Sequence, residues 1–178
     1  MTLQNKSEQY WKKTINADKR RNSYFDRYFE DGSQKDSRIF RVDILMNQPN
    51  SVNSFLDLGC GYGAFLYSLF SQNNDFELAG LDISEDAINF CREKIPSAKL
   101  VNDTLNNLSD HFEENSFDVV FTSGVMIHQA PETLSSLIDD LIKIGKKYII
   151  HFEDEGIGQL VSGEKEFNPS WRESDQFL

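Results

Sequence analysis

One stretch constrains this chain more than any other. Asp57-Leu58-Gly59-Cys60-Gly61-Tyr62-Gly63 joins an apolar run, Ser54-Phe55-Leu56-Asp57-Leu58, to a helix-patterned run that opens at Ala64. Three alternating glycines serve two ends. They let the chain turn sharply through dihedrals that other residues avoid, and they let the backbone approach a ligand with no Cβ in the way. Open α/β sheets bind their ligands at such turns, at the carboxyl ends of strands.

The pattern downstream agrees. Glu77-Leu78-Ala79-Gly80-Leu81 reads as a second strand, Lys99-Leu100-Val101 as a third, Phe117-Asp118-Val119-Val120-Phe121 as a fourth and Tyr148-Ile149-Ile150-His151-Phe152 as a fifth. Helical segments lie between them. One spans Ala64 to Phe70, one opens at Ser84 as N-cap with Glu85 and Asp86 in its first turn, and one runs from Pro131 to Ile144. Strand–helix–strand repetition implies parallel strands joined by right-handed crossovers. The fold class is α/β with a doubly wound, mostly parallel sheet.

Residues 1–50 precede this core. There Ile39, Val42, Leu45 and Met46 fall on one face of a helix that ends before Pro49 and Asn50. Tyr10, Trp11, Tyr24, Phe25, Tyr28 and Phe29 supply aromatic bulk to further helices, with a turn at Asp31-Gly32-Ser33. The reading is one domain of 178 residues: a helical cap over 1–50, a ligand-binding core over 52–154 and a short polar tail over 155–178.

Composition narrows the partners. Eighteen basic against 29 acidic residues give a formal charge of −11, which argues against nucleic acid and anionic membrane as partners. Two cysteines, Cys60 and Cys91, are too few for a disulfide framework or a zinc cluster, and no metal-ligand spacing is present. With no signal-peptide pattern at Met1 and no membrane-length apolar run, a cytoplasmic protein is expected.

Two carboxylates flank the turn. Asp82 closes the second strand, where an acid accepts hydrogen bonds from a ribose diol, so an adenosine-bearing cofactor is indicated. That geometry leaves the cofactor open, because the loose dinucleotide pattern is also met with Ala64 last. Asp57 at the mouth of the turn would repel a pyrophosphate and could hold an ammonium.

On these residues the chain resembles the class I S-adenosylmethionine-dependent methyltransferases. Asp57 to Gly63 is similar to their first motif, Asp82 in Leu81-Asp82-Ile83-Ser84 to the second, Val101-Asn102-Asp103 to the adenine-side acid, and Phe117 to Gly124 to the fourth-strand motif. The likeness spans Ser54 to Phe152. Tyr10-Trp11, Arg21-Asn22, Phe121 to His128 and Lys147 to Ile150 further resemble methylases associated with pseudaminic acid and related surface-sugar biosynthesis. The resemblance implies a Rossmann-like fold and S-adenosyl-L-methionine as cofactor. The Gly59, Cys60 and Gly61 turn would lie along the methionine part, with Asp57 on its amino group. Asp82 would take the ribose hydroxyls, Ile83 the adenine face, and Asp103 with Thr104 the adenine amine. Ser123 and Gly124 would line the reaction side, and Arg21 would pair with the methionine carboxylate. His128 is the first candidate for a base toward an acceptor hydroxyl, with His151 and Glu153 next. Tyr10 or Trp11 would offer a ring to the sulfonium.

Structural roles compete with several of these. Asp103 would serve equally as a cap before Leu105, His128 as a support for the loop before Pro131, and His151 as a satisfied strand-end histidine. Methyltransferases of this class usually add an antiparallel strand pair after the fifth strand, and residues 155–178 show no such alternation. The tail, the N-terminal helices or a second copy in a homodimer is then expected to cover the sheet edge. The leading function is methyl transfer to a small molecule, for instance a sugar or sugar nucleotide. Its rivals are a cofactor-binding protein without transferase activity and an NAD-dependent dehydrogenase.

Overall fold

The computed structural model describes residues 3–15 and 35–153. Two helices come first, α1 (Leu3–Ile15) and α2 (Lys35–Met46). Strand β1 (Ser54–Leu58) then leads through the glycine turn into α3 (Ala64–Gln72). Next come β2 (Glu77–Asp82), α4 (Glu85–Lys94), β3 (Lys99–Asn102), a short α5 (Leu108–His111), β4 (Phe117–Ser123), α6 (Pro131–Ile144) and β5 (Gly145–Phe152). The five strands form one sheet in the order β3-β2-β1-β4-β5, every pair parallel. The doubly wound reading of the sequence therefore holds. The order reverses between β1 and β4, which puts the switch point beside the glycine turn.

The central strands are apolar runs because both faces are covered. On one face Phe55, Val119 and Phe121 meet Val42 and Leu45 of α2 and Phe65, Leu66 and Leu69 of α3. On the other, Leu56, Leu58 and Val120 meet Leu137, Leu141 and Ile144 of α6. Each such fully buried side chain stabilises the fold by about 1.5–3 kcal/mol. The expected α2 face needs one correction. Val42 and Leu45 are buried, but Ile39 is 43% exposed, because one step of helix rotation, about 100°, carries it off the side on which Arg38 meets α3.

Local chemistry fixes the ends. Ser84 caps α4 as expected, its Oγ accepting from the Ala87 amide at 3.3 Å. Pro131 begins α6, where its missing N–H costs nothing. At the amino end of the sheet, Asp118 takes the Asn53 amide at 2.9 Å and Lys147 Nζ at 3.0 Å. Burial alone would raise the Asp118 carboxyl, but these partners outweigh it and hold its pKa below the usual range. Lys147 thus clamps β5 to β4 at the end of the strands away from the glycine turn.

The functional strand ends, all on the opposite edge, are overlaid by α1. Glu8 accepts from Asn106 at 3.2 Å, and the Trp11 ring packs against His128 with centroids 4.7 Å apart. No described helix is long and apolar enough to cross a membrane. Within the described residues β5 has no further strand paired outside it.

Candidate active site

The site is built on the turn after β1. Its first glycine, Gly59, has φ +73°, and a Cβ there would stand 2.4 Å from Val125 Cγ2. Glycine is required at this point both by the dihedral and by the side chain that leans into the vacant space. The amides of Gly59 and Cys60 donate back to the Leu81 carbonyl at 2.7 and 3.2 Å, and the Gly61 amide donates to Asp82 Oδ2 at 2.8 Å. The turn is therefore fastened onto the end of β2.

Asp82 is the centre of that fastening. Its other oxygen accepts from the Ser84 amide at 2.8 Å, and its side chain is buried. Burial raises its pKa, and the amides of Ser84, Gly61 and Ile83 offset part of the rise. Each oxygen retains acceptor capacity, as a carboxylate offers about four lone-pair sites. Beside it lies a cleft of about 280 Å³ lined by Ile83, Ser84, Glu85, Asn102 and Lys12. Its lining mixes one apolar side chain with polar ones, and three of these residues directly follow Asp82 in the chain.

Asp57 lies beneath the turn, 1% exposed, and its Oδ2 has no hydrogen-bond partner. Burial first, then the neighbouring charge of Asp82, pushes its carboxyl well above the usual carboxylate range. A buried polar oxygen with no partner is rare and calls for a ligand group to meet it. The orphaned oxygen, the Asp82 carboxylate and the adjoining cleft fit a nucleoside with an amino-acid tail. The residues present thus suit S-adenosylmethionine.

Asp103 is a hub. Its Oδ1 accepts from the Thr104 amide at 2.7 Å and Asn107 Nδ2 at 2.9 Å, and its Oδ2 pairs with His111 Nε2 at 2.7 Å. Burial would raise this carboxyl, yet His111, Thr104 and Asn107 together hold it below the usual range. Thr104 in turn caps the following 3₁₀ turn, accepting from the Asn106 amide at 3.2 Å. The cap before Leu105 foreseen for Asp103 thus falls to Thr104, and Asp103 braces it through the Thr104 amide and the Asn107 side chain. The Cys60 side chain points into the core, packed against Gly80 and Cys91, so only its backbone borders the turn.

The ends of β4 and β5 make the other half of the site. Ser123 Oγ accepts from Arg41 Nη1 at 2.8 Å. Gly124 has φ +65°, and among the described residues no heavy atom lies within 4 Å of where its Cβ would stand, so these leave room beside it. Thr122, fully buried, donates to Glu153 Oε1 at 2.7 Å and lies 2.8 Å from His151 Nδ1. Since its one proton goes to Glu153, the hydroxyl accepts from His151. Glu153 also takes the Val125 amide at 3.2 Å, so it ties down the loop that bears His128. His128 lies half-buried under Trp11, whereas His151 is exposed. Tyr10 meets Trp11 edge-on, with ring centroids 5.3 Å apart. Arg21 lies outside the described residues. Among those described, no cluster of His, Cys, Asp or Glu is placed to hold a metal ion.

Sequence reasoning did not single out Lys12, Thr122 or Arg41. Thr122 follows the fourth-strand run directly, and Arg41 sits one residue before Val42 on the buried side of α2. Thr122 could have been found by asking which polar residue extends an apolar strand, whereas nothing local marks Arg41.

Comparison with known proteins identifies the family and agrees with the fold. Residues 55–147 match a family described as Methyltransferase domain. A malonyl-[acyl-carrier protein] O-methyltransferase of Ilyobacter polytropus is 22% identical over 140 residues, covering 78% of this chain and 54% of that protein. A crystal structure of a SAM dependent methyltransferase from Archaeoglobus fulgidus superposes with TM-score 0.55 at 28% identity, covering 66% of this chain and 52% of that one. The plantazolicin methyltransferase BpumL, solved in complex with SAH, shares the fold at TM-score 0.63 and 22% identity, over 83% of this chain and 58% of that one. The chain thus spans about half the length of the relatives it matches. With the family match covering over half its residues, and the glycine turn, Asp57 and Asp82 placed as described, the chain belongs to the methyltransferase-domain family as a class I S-adenosylmethionine-dependent member.

Proposed function

We propose that this chain transfers the methyl group of S-adenosylmethionine to an oxygen or nitrogen of a small molecule. The observation that carries the proposal is the pair of buried carboxylates under the glycine turn: Asp57 with an unsatisfied oxygen, and Asp82 fastened to Gly61 and Ser84 beside a cleft. The pair suits a ligand with an ammonium at one end and a ribose diol at the other. A pyrophosphate would meet Asp57 with like charge, which weighs against the dehydrogenase reading.

When bound, the cofactor supplies a methyl group already activated by its sulfonium. The chain's own residues then bind and orient. Asp57 holds the amino group, the Gly59–Gly61 backbone lies along the methionine part, Asp82 takes the ribose hydroxyls, and Ile83 packs on the adenine. Asp103 and Thr104 border the adenine amine, and Ser123 and Gly124 line the reaction side. Alignment of the acceptor can supply several kcal/mol of the barrier. His128 is the proposed base, its imidazole oriented by the Trp11 ring; His151, held at Nδ1 by Thr122, is the second candidate. A sugar or sugar nucleotide destined for a surface glycan is the proposed acceptor, supported by the likeness of Tyr10-Trp11 and Phe121 to His128 to surface-sugar methylases. The proposed organisation is one cytoplasmic domain, with residues 1–50 capping the 52–154 core.

Calorimetry with S-adenosylhomocysteine, followed by a product assay over a panel of sugar nucleotides, tests the reading. Binding and turnover are expected. Asp82→Ala should weaken binding by about 1–3 kcal/mol, the range for losing a charged hydrogen-bond partner. His128→Ala should lower turnover while leaving that affinity unchanged. Binding without turnover would favour a cofactor-binding protein; NAD binding without S-adenosylhomocysteine binding would overturn the proposal.

A further inference from the structure

We infer that Arg41 recognises an oxyanion carried by the acceptor, a carboxylate or a phosphate group. The inference rests on the methyl-transfer reading above and deepens it by fixing the acceptor's charge.

Position is the first argument. Arg41 lies on α2, but both its contacts are with the last residues of other elements: Ser123 of β4 at 2.8 Å, and the Phe152 ring of β5, 5.6 Å from the guanidinium carbon. Those strand ends form the half of the site away from Asp82 and the nucleoside cleft, which lie at β2 and β3. The open space beside Gly124 adjoins Ser123. An arginine over this half therefore faces the acceptor's side.

Chemistry is the second. A guanidinium carries five N–H donors in a planar fork matched to carboxylate and phosphate. Ser123 takes one of them. Among the described residues no carboxylate pairs with Arg41, although the chain holds 29 acidic residues. Stacking over Phe152 and the bond to Ser123 hold the fork in one orientation, which lowers the cost of ordering it around a ligand. Arg38, one turn earlier, serves elsewhere: it donates to Ser68 of α3, and burial lowers its pKa. Lys12 borders the nucleoside cleft at the opposite half. Among the described residues, Arg41 is the cation that the fold directs to the ends of β4 and β5.

The test uses the full chain saturated with S-adenosylhomocysteine. Inorganic phosphate and succinate are titrated by calorimetry into the wild-type protein, Arg41→Gln and Arg41→Lys, with thermal melts to verify folding. At least one anion should bind the wild type, about tenfold or more weaker in Arg41→Gln, with Arg41→Lys between them. S-adenosylhomocysteine affinity should stay the same in all three. Preference for one anion identifies the acceptor group as phosphate or carboxylate. Equal anion binding in Arg41→Gln, or none in the wild type, would overturn the inference. Loss of S-adenosylhomocysteine affinity in Arg41→Gln would overturn it as well, by assigning the arginine to the cofactor's own carboxylate. Failure of the wild type to bind S-adenosylhomocysteine would instead bring down the methyl-transfer reading beneath it.

Discussion

Asp57 sits where folding disfavours its own charge. It is buried, its Oδ2 lacks a partner, and Asp82 adds like-charge repulsion. A group kept under such conditions weakens the unliganded fold and is rewarded only when a cation arrives. Asp57→Asn removes the buried charge while keeping the shape. It should stabilise the ligand-free protein by about 1–3 kcal/mol, read as a higher melting temperature, and should weaken S-adenosylhomocysteine binding in calorimetry. A variant that is less stable yet binds as well would remove Asp57 from the cofactor site. At this scale the sequence was informative where chemistry and position coincide. Asp57 and Asp82 stood out because acids beside a glycine turn have few structural uses. Asp103 was ambiguous because capping and adenine binding call for the same side chain; the structure gives the cap to Thr104, sets Asp103 to brace it, and does not bear on the adenine. Arg41 was not legible at all: its role depends on which strand ends α2 crosses, and no local pattern encodes that.

Among elements, the loop after β4 connects the two halves of the site. Glu153 holds it through the Val125 amide, Trp11 of α1 covers its histidine, and Val125 fills the space above Gly59. Gly59→Ala would force a left-handed dihedral on a residue with a Cβ, and drive that Cβ into Val125, at a cost of about 1–3 kcal/mol. Thermal melts should show the loss. Adding Val125→Ala should recover part of it, because the second change removes the clash and leaves only the strain. If the double variant is as unstable as the two single losses summed, the two residues do not touch. Strands and helices were readable from the sequence because period and punctuation agree, as at Ser84 and Pro131. Ends were less so. β4 extends to Ser123 and β5 starts at Gly145, since pairing between strands continues past the apolar run. Ile39 was misplaced because a spacing of three to Val42 is met at the margin of a helix stripe as readily as at its centre.

For the molecule as a whole, two sets of carboxylates oppose each other. Asp57 and Asp82 have raised pKa values, so in the unfolded chain they lose their protons first. They make the fold less stable as pH rises from the unfolded values through the folded ones. Asp103 and Asp118 have lowered values, so their stabilisation is present above the unfolded values and fades as pH falls through the folded ones. The charge of −11 adds self-repulsion at neutral pH that lessens toward the pI of about 4.7. The ligand-free protein should therefore melt higher at about pH 5, just above the unfolded carboxylate values, than at about pH 7, and S-adenosylhomocysteine should narrow that difference by supplying a cation to Asp57. Melting curves at both pH values, with and without the ligand, test this; a ligand-free protein more stable at the higher pH would refute it. The contact between Val125 and Gly59 has a last consequence. One isopropyl group resting where a side chain is missing acts as a fulcrum, and whatever lifts one segment lifts the other. A shift of the loop after β4 would therefore be felt first at the glycine turn.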